Sequence, residues 1–107
     1  MEETTLTGNL GSDPILRYTD SGKAVANFNL AVNSYQEEQA TWYKITLWEN
    51  LAENANKYLN RGDKVLVRGR VSTEHYTNEA SGENHCNLAL NVRRIEYLSS
   101  KKEPEES

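Results

Sequence analysis

The chain has 107 residues, enough for one domain and too few for two. Its 12 basic and 16 acidic side chains give a net charge of −4, so it lacks the overall positive charge of most nucleic-acid-binding proteins. A single cysteine excludes an internal disulfide, and neither a membrane span nor a secretory signal is present, which predicts a cytoplasmic protein. Any affinity for a polyanion must therefore come from a local patch.

The first third of the chain predicts extended segments separated by turns. Thr4 to Leu10 is a predicted strand, and Ile15 to Tyr18 is a short extended piece between two turn signals. From Ala24 to Asn33, apolar side chains alternate with asparagines, which is typical of a half-buried strand. Thr41 to Trp48 alternates in the same way and predicts the third long strand.

After Trp48 the spacing of apolar residues changes from every second residue to the period of a helix. This change predicts a short helix from Asn50 to Asn60. The predicted apolar stripe of this helix consists of Leu51, Ala55, Tyr58 and Leu59. Asn50 and Glu53 have the spacing of a capping box, and Gly62 is the predicted residue just beyond the helix end.

Two further strands complete the predicted fold. They run from Lys64 to about Tyr76 and from Asn87 to Leu98, joined by a hairpin. Five strands with a helix between the third and the fourth predict an all-β protein, an OB-fold Greek-key barrel. We expect residues 1–98 to form this domain and residues 99–107 to be a charged, disordered tail.

The third strand carries the most specific local signal. Alternation puts Tyr43, Ile45 and Leu47 on the inner face, and it puts Trp42, Lys44, Thr46 and Trp48 on the outer face. Exposed aromatic rings with a cation between them suit stacked bases and a phosphate chain. The alternative is that the two tryptophans cover the barrel mouth or a subunit interface.

Other candidates for the same surface are less distinctive. Arg68 and Arg70 lie on the same face of the predicted fourth strand, which predicts a basic stripe. The alternative, and the commoner arrangement for two arginines, is a solvated face with carboxylate partners. Tyr76 lies at the entry of the hairpin and Tyr35 in the polar loop before Trp42.

The chain shows no pattern of a catalytic or metal site. His75, His85 and Cys86 are too few and too close together for a closed zinc shell. There is no glycine-rich phosphate loop and no spacing that suggests a catalytic triad. We therefore expect neither an enzyme nor a cofactor.

The chain resembles the bacterial single-stranded DNA-binding protein family over Thr4 to Leu98. No single motif is decisive, but the order and spacing together are specific. The matching segments are Gly8–Pro14, Arg17–Tyr18, Gly22, Ala24–Phe28, Leu51–Glu53, Tyr58–Leu59, Arg61–Gly62 and Val65–Gly69.

The resemblance implies an OB-fold that binds and protects single-stranded DNA without sequence preference in replication, recombination and repair. It also implies a homotetramer, or a dimer, whose first strands pair across an interface. It assigns base stacking to Tyr35, Trp42, Trp48 and Tyr76. It puts Lys44, Arg68 and Arg70 on the DNA-facing side, with Lys23 as a weaker candidate.

The end of the chain departs from the family. Family members carry an acidic tail tip with a terminal phenylalanine that recruits replication and repair proteins, whereas this chain ends in Glu103–Ser107 without one. The resemblance therefore does not extend to the recruitment of those partners, either because the sequence is truncated or because the protein is a tail-less variant. The localisation that the resemblance implies is cytoplasmic and associated with the nucleoid. Two alternatives are a primosomal-type OB-fold protein and a protein-interaction module that buries Trp42 and Trp48 in a partner.

Overall fold

The computed structural model describes residues 3–33, 40–77 and 84–98, and the side chains of all of these except residues 74–77 and 84–87. The predicted tail, residues 99–107, lies outside this range. No helix within the described residues is long and apolar enough to cross a membrane. The elements are β1 (Thr4–Leu10), β2 (Ile15–Tyr18), β3 (Ala24–Val32), β4 (Thr41–Trp48), α1 (Asn50–Tyr58), β5 (Lys64–Thr77) and β6 (Asn84–Tyr97).

Five strands close into a barrel. The sheet order is β1-β5-β6-β4-β3-β2, and β1 also pairs with β3 through Asn9 opposite Ala31 and Leu10 opposite Leu30. β4 and β6 run parallel, while the other neighbours are antiparallel. The closed ring and the single short helix confirm the predicted OB-fold.

The short extended piece from Ile15 to Tyr18 is a sixth strand, which the sequence did not resolve. As β2, it pairs with the first half of β3, on the edge whose second half is taken by β1. This strand widens the sheet beyond β3 and so extends the outer surface that β4 and β3 present.

Alternation along the strands fills the barrel interior with aliphatic side chains. Because successive side chains of a strand point to opposite faces, each inward position is matched by an outward one. The largest fully buried side chains are Leu30, Ile45, Leu47, Leu90, Val65 and Val67.

The helix packs on the barrel with a different stripe from the predicted one. Ala52, Ala55 and Leu59 are buried, whereas Leu51 is only partly buried and Tyr58 is 38% exposed. The predicted capping box is wrong: Glu49 occupies the cap position without a side-chain hydrogen bond, and the Glu53 amide donates to the Glu49 carbonyl. The helix follows β4 directly, so tertiary packing sets its start rather than a capping side chain.

The assignment of Gly62 to the helix end is also wrong. The helix stops at Tyr58, and Leu59 is already extended with φ −102° and ψ 146°. Gly62, at φ +92°, lies in the following turn, where its amide donates to the Leu10 carbonyl at 2.8 Å. The buried Asp63 carboxylate accepts a hydrogen bond from the Asn60 amide at 2.9 Å. One hydrogen bond therefore stabilises this turn internally, and the bond from Gly62 attaches it to β1.

Candidate nucleic-acid interface

The outer face of β4 carries both tryptophans of the chain. The side chain of Trp42 is 54% exposed and that of Trp48 is 37% exposed, with exposed Lys44 and partly exposed Thr46 between them. Ile45 and Leu47 point into the barrel and are fully buried. The predicted division of this strand into two faces is confirmed for Ile45 and Leu47, whereas Tyr43, also predicted on the inner face, is only partly buried.

Two open grooves adjoin on this surface and share Lys44. The Trp42 groove has a volume of about 170 Å³ and the Trp48 groove one of about 390 Å³. Asn29, Trp42, Tyr43, Lys44 and Leu88 line the Trp42 groove. Arg17, Tyr18, Thr19, Val25, Asn27, Lys44, Thr46 and Trp48 line the Trp48 groove.

A polar network forms the floor of the Trp48 groove. The Asn27 amide Nδ2 donates to Thr46 Oγ1 at 2.8 Å, and Asn27 Oδ1 accepts from Arg17 Nη2. The backbone of Arg17 lies opposite Val25, which in turn lies opposite Trp48. The network therefore holds a guanidinium beside an exposed indole ring.

The sequence analysis missed Arg17 and Asn27 as members of the site. The asparagines of β3 were visible as its polar face, but β2 is only four residues long and gives no usable periodicity. The pairing of β2 with β3 is what brings Arg17 to the groove, and that pairing is a tertiary contact.

Trp42 packs on the backbone at the end of β1. A Cβ atom added to Gly11 would lie 2.4 Å from Cζ3 of the Trp42 ring. Since carbon atoms in contact are normally about 3.5–4 Å apart, only glycine fits beneath the ring. Gly11 is itself held by a hydrogen bond from its amide to the Asn29 carbonyl at 2.8 Å. The orientation of Trp42 therefore depends on Gly11.

The predicted basic residues occupy different parts of the surface. Thr46, Asn91 and Arg70 are successive partners across β4, β6 and β5, so Arg70 shares the outer face with the tryptophans. Arg68 lies farther along β5, where its Nε donates to Thr5 Oγ1 on β1 at 3.2 Å. Lys23 is exposed in the turn before β3, and the carbonyl of the next residue accepts from the Glu49 amide at the end of β4.

Two predicted stacking residues fall outside this description. Tyr35 lies outside the described residues, and Tyr76 pairs with His85 in the β5–β6 ladder but its side chain is not described. Their part in stacking stays a prediction.

The chain matches known proteins along most of its length. Residues 1–98 match the model of the single-strand binding protein family. A protein named single-stranded DNA-binding protein 1 from Synechocystis sp. is 31% identical over 105 residues, covering 95% of this chain and 87% of that protein. A protein of the same name from Nostoc sp. is 30% identical over 100 residues, covering 92% of this chain and 84% of that one. The chain belongs to the single-strand binding protein family.

Proposed function

We propose that this protein binds single-stranded DNA without sequence preference and protects it during replication, recombination and repair. One observation carries the proposal: two exposed tryptophans lie on one strand with Lys44 between them, and each lines a groove that Lys44 also lines. Every base has a π-face, so an indole platform accepts any sequence, at about 1–3 kcal/mol per stacked base. The family consists of DNA-binding proteins that are not enzymes, as predicted.

The arrangement also gives a reason to prefer single strands. In a duplex the faces of the bases are stacked on one another and cannot reach an indole ring. In a single strand, bases can lie on Trp42 and Trp48 while the phosphates between them pass Lys44, which lines both grooves. Binding therefore competes with base pairing and reannealing, and it needs no chemical step.

Tryptophan fluorescence tests the proposal directly, because Trp42 and Trp48 are the only tryptophans of the chain. Titration with oligo-thymidine should quench the emission strongly, and duplex DNA of the same length should quench it little. Absence of quenching by the single strand at micromolar concentrations would contradict stacking on this face. Quenching by a protein partner alone would instead support an interaction module.

Alanine variants locate the contact. Trp42→Ala and Trp48→Ala should each weaken binding about 5- to 150-fold, which corresponds to about 1–3 kcal/mol. Tyr58→Ala is a matched control, because Tyr58 is 38% exposed, close to the 37% of Trp48, but lies on α1 away from the grooves. Equal losses in the control and in the tryptophan variants would assign the effect to general destabilisation.

We also propose that the protein is a homotetramer, with a dimer as its building block. β1 pairs with β5 from Thr4 to Asn9, whereas its other edge pairs with β3 only at Asn9 and Leu10. The first half of that edge has no partner strand within the described residues. Free backbone groups on a strand edge are a template for pairing with a second copy.

We also propose that the protein works in the cytoplasm, where it is bound to the DNA. The location of a fluorescent fusion would test this.

A further inference from the structure

Two asparagines on the outer face of β3 differ in what their side chains do. Asn27 lies opposite Thr46, donates a hydrogen bond to its hydroxyl at 2.8 Å and accepts one from Arg17. Asn29 lies opposite Lys44 and is exposed. Its side-chain amide forms no hydrogen bond to any residue in the described part of the chain. The amide of Asn27 is therefore engaged within the protein, whereas that of Asn29 is available to a ligand.

The backbone of Asn29 is fixed next to the Trp42 ring. Its carbonyl accepts from the Gly11 amide at 2.8 Å, and its own amide N–H donates to Ser12 Oγ at 3.4 Å. Gly11 is the residue on which the Trp42 ring packs. The fold therefore sets the position of Asn29 relative to the indole ring, and binding does not have to order it.

Asn29 and Trp42 line the same groove. Trp42 lies opposite Ala31, which is two residues from Asn29 along β3 and points to the same face. Diagonal neighbours of this kind across antiparallel strands are about 7–8 Å apart. A base that lies flat on the indole ring can therefore direct its edge toward the Asn29 amide.

The chemistry of the amide suits the edge of a base better than a phosphate. An asparagine side chain presents a donor and an acceptor side by side. Phosphate oxygens only accept hydrogen bonds, so a phosphate would leave the amide oxygen without a partner. The Watson–Crick edge of each of the four bases has a donor next to an acceptor. The terminal torsion of asparagine is roughly two-fold, so the amide can match either order.

From this placement we propose that Asn29 hydrogen-bonds the Watson–Crick edge of the base that is stacked on Trp42. The inference rests on the proposed function and adds a residue that distinguishes unpaired bases from paired ones. In a duplex this edge is already bonded to the partner base, so the contact forms only with a single strand. Because the amide turns to suit each base, the contact adds affinity without adding sequence preference.

Replacement of the amide by a carboxylate tests the inference. A carboxylate only accepts hydrogen bonds, so Asn29→Asp should favour cytosine, whose N4 amino group donates, over thymine, whose O4 accepts. Affinity is measured at one salt concentration by tryptophan quenching with oligo-deoxycytidine and oligo-thymidine of about 5 nucleotides, near the short end of the site sizes of one OB-fold. The matched control is Asn54→Asp, which adds the same charge at an exposed position of α1.

The affinity for oligo-deoxycytidine divided by that for oligo-thymidine should rise at least about fivefold in Asn29→Asp, the lower bound for one base read by a side chain. The control should keep the wild-type ratio, because an added charge repels both strands equally. Asn29→Ala should bind both strands about 2- to 12-fold more weakly, as one lost hydrogen bond predicts. Its quenching at saturation should equal that of the wild type, because the indole platform is unchanged.

An unchanged ratio in Asn29→Asp, or the same change in the control, would overturn the inference. Wild-type affinity in Asn29→Ala would also overturn it. Weaker quenching at saturation in that variant would do so as well, because it would make Asn29 a support of the Trp42 ring. Absence of quenching in the wild-type protein would instead refute the proposed function, on which the inference rests.

Discussion

At the scale of single residues, Trp42 and Arg17 are each held in position by neighbouring residues. Trp42 is exposed, yet its ring position is set by the space that Gly11 leaves. Arg17 is likewise held in place by Asn27, which Thr46 holds in turn. Such support matters because a platform already in position loses less conformational entropy on binding than one that must be ordered.

Substitution of Gly11 by alanine should displace the Trp42 ring without unfolding the barrel. We expect weaker quenching and an affinity for oligo-thymidine that falls by about fivefold or more, the lower bound for one stacked base. The control is the same substitution in a Trp42→Ala background, where it should change affinity little. Equal effects of Gly11→Ala with and without the indole ring would show that Gly11 does not act through Trp42.

Arg17 should contribute one phosphate contact beside Trp48. Arg17→Ala should make the salt slope shallower by about 0.7, whereas Arg17→Lys should keep most of the slope because the charge remains. Arg61→Ala removes an exposed arginine outside the grooves and should leave the slope unchanged. A slope that Arg17→Ala does not alter would exclude Arg17 from the path of the strand.

At the scale of secondary-structure elements, the face of β4 follows from its register. A shift by one residue would bury Trp42, Lys44 and Trp48 and expose Ile45 and Leu47, so the hydrophobic core fixes the binding surface. The helix covers another part of the barrel, and its last turn meets β6 through Tyr58 and Tyr97, whose ring centroids are 6.3 Å apart.

The contact between α1 and β6 predicts a loss of stability in alkali. Burial, and secondarily the charge of Tyr58, raises the pKa of Tyr97 above its ordinary value of 10.0. The unfolded chain therefore releases this proton first, and the contribution of Tyr97 to stability, present below pH 10, is lost as the pH rises through the higher pKa of the folded state. Denaturant unfolding from about pH 9 to 11 should show a steeper decline for the wild type than for Tyr97→Phe. Tyr18→Phe, on the exposed strand β2, is the control, and a profile unchanged by Tyr97→Phe would contradict the assignment.

At the scale of the whole molecule, function requires a local charge pattern that opposes the net charge of −4. Lys44 and Arg17 line the grooves, and Arg68, Arg70, Arg93 and Arg94 lie on β5 and β6, so basic groups meet on one sheet while the total remains acidic. Local fields of this kind act within about 10 Å at ordinary ionic strength, which is enough to bind a strand that passes over them.

Assembly is the prediction that belongs to this scale. Sedimentation or light scattering should give a particle of four chains of 12.2 kDa each. Two chains form each dimer by pairing along the free edge of β1, and two dimers form the particle. The state should persist without DNA, because backbone pairing between strands needs no ligand. A monomer at micromolar concentration would contradict both the tetramer and the role of this edge.

The sequence by itself determined the class of fold and the centre of the site. Strict alternation in β3 and β4, followed by a change to helical period, can be satisfied only if one face of each strand is buried, and this predicted the barrel and the exposed pair Trp42 and Trp48. The tertiary structure decided the features that no local sequence pattern shows. The pairing of β2 with β3 brought Arg17 to the groove, and the position of Gly11 beneath Trp42 fixed the ring. A β-bulge between β5 and β6 makes Arg93 an extra residue, so that Arg93 and Arg94 are both exposed. Each of these depends on residues distant in the chain that meet only when the barrel closes, so no window of sequence could show them.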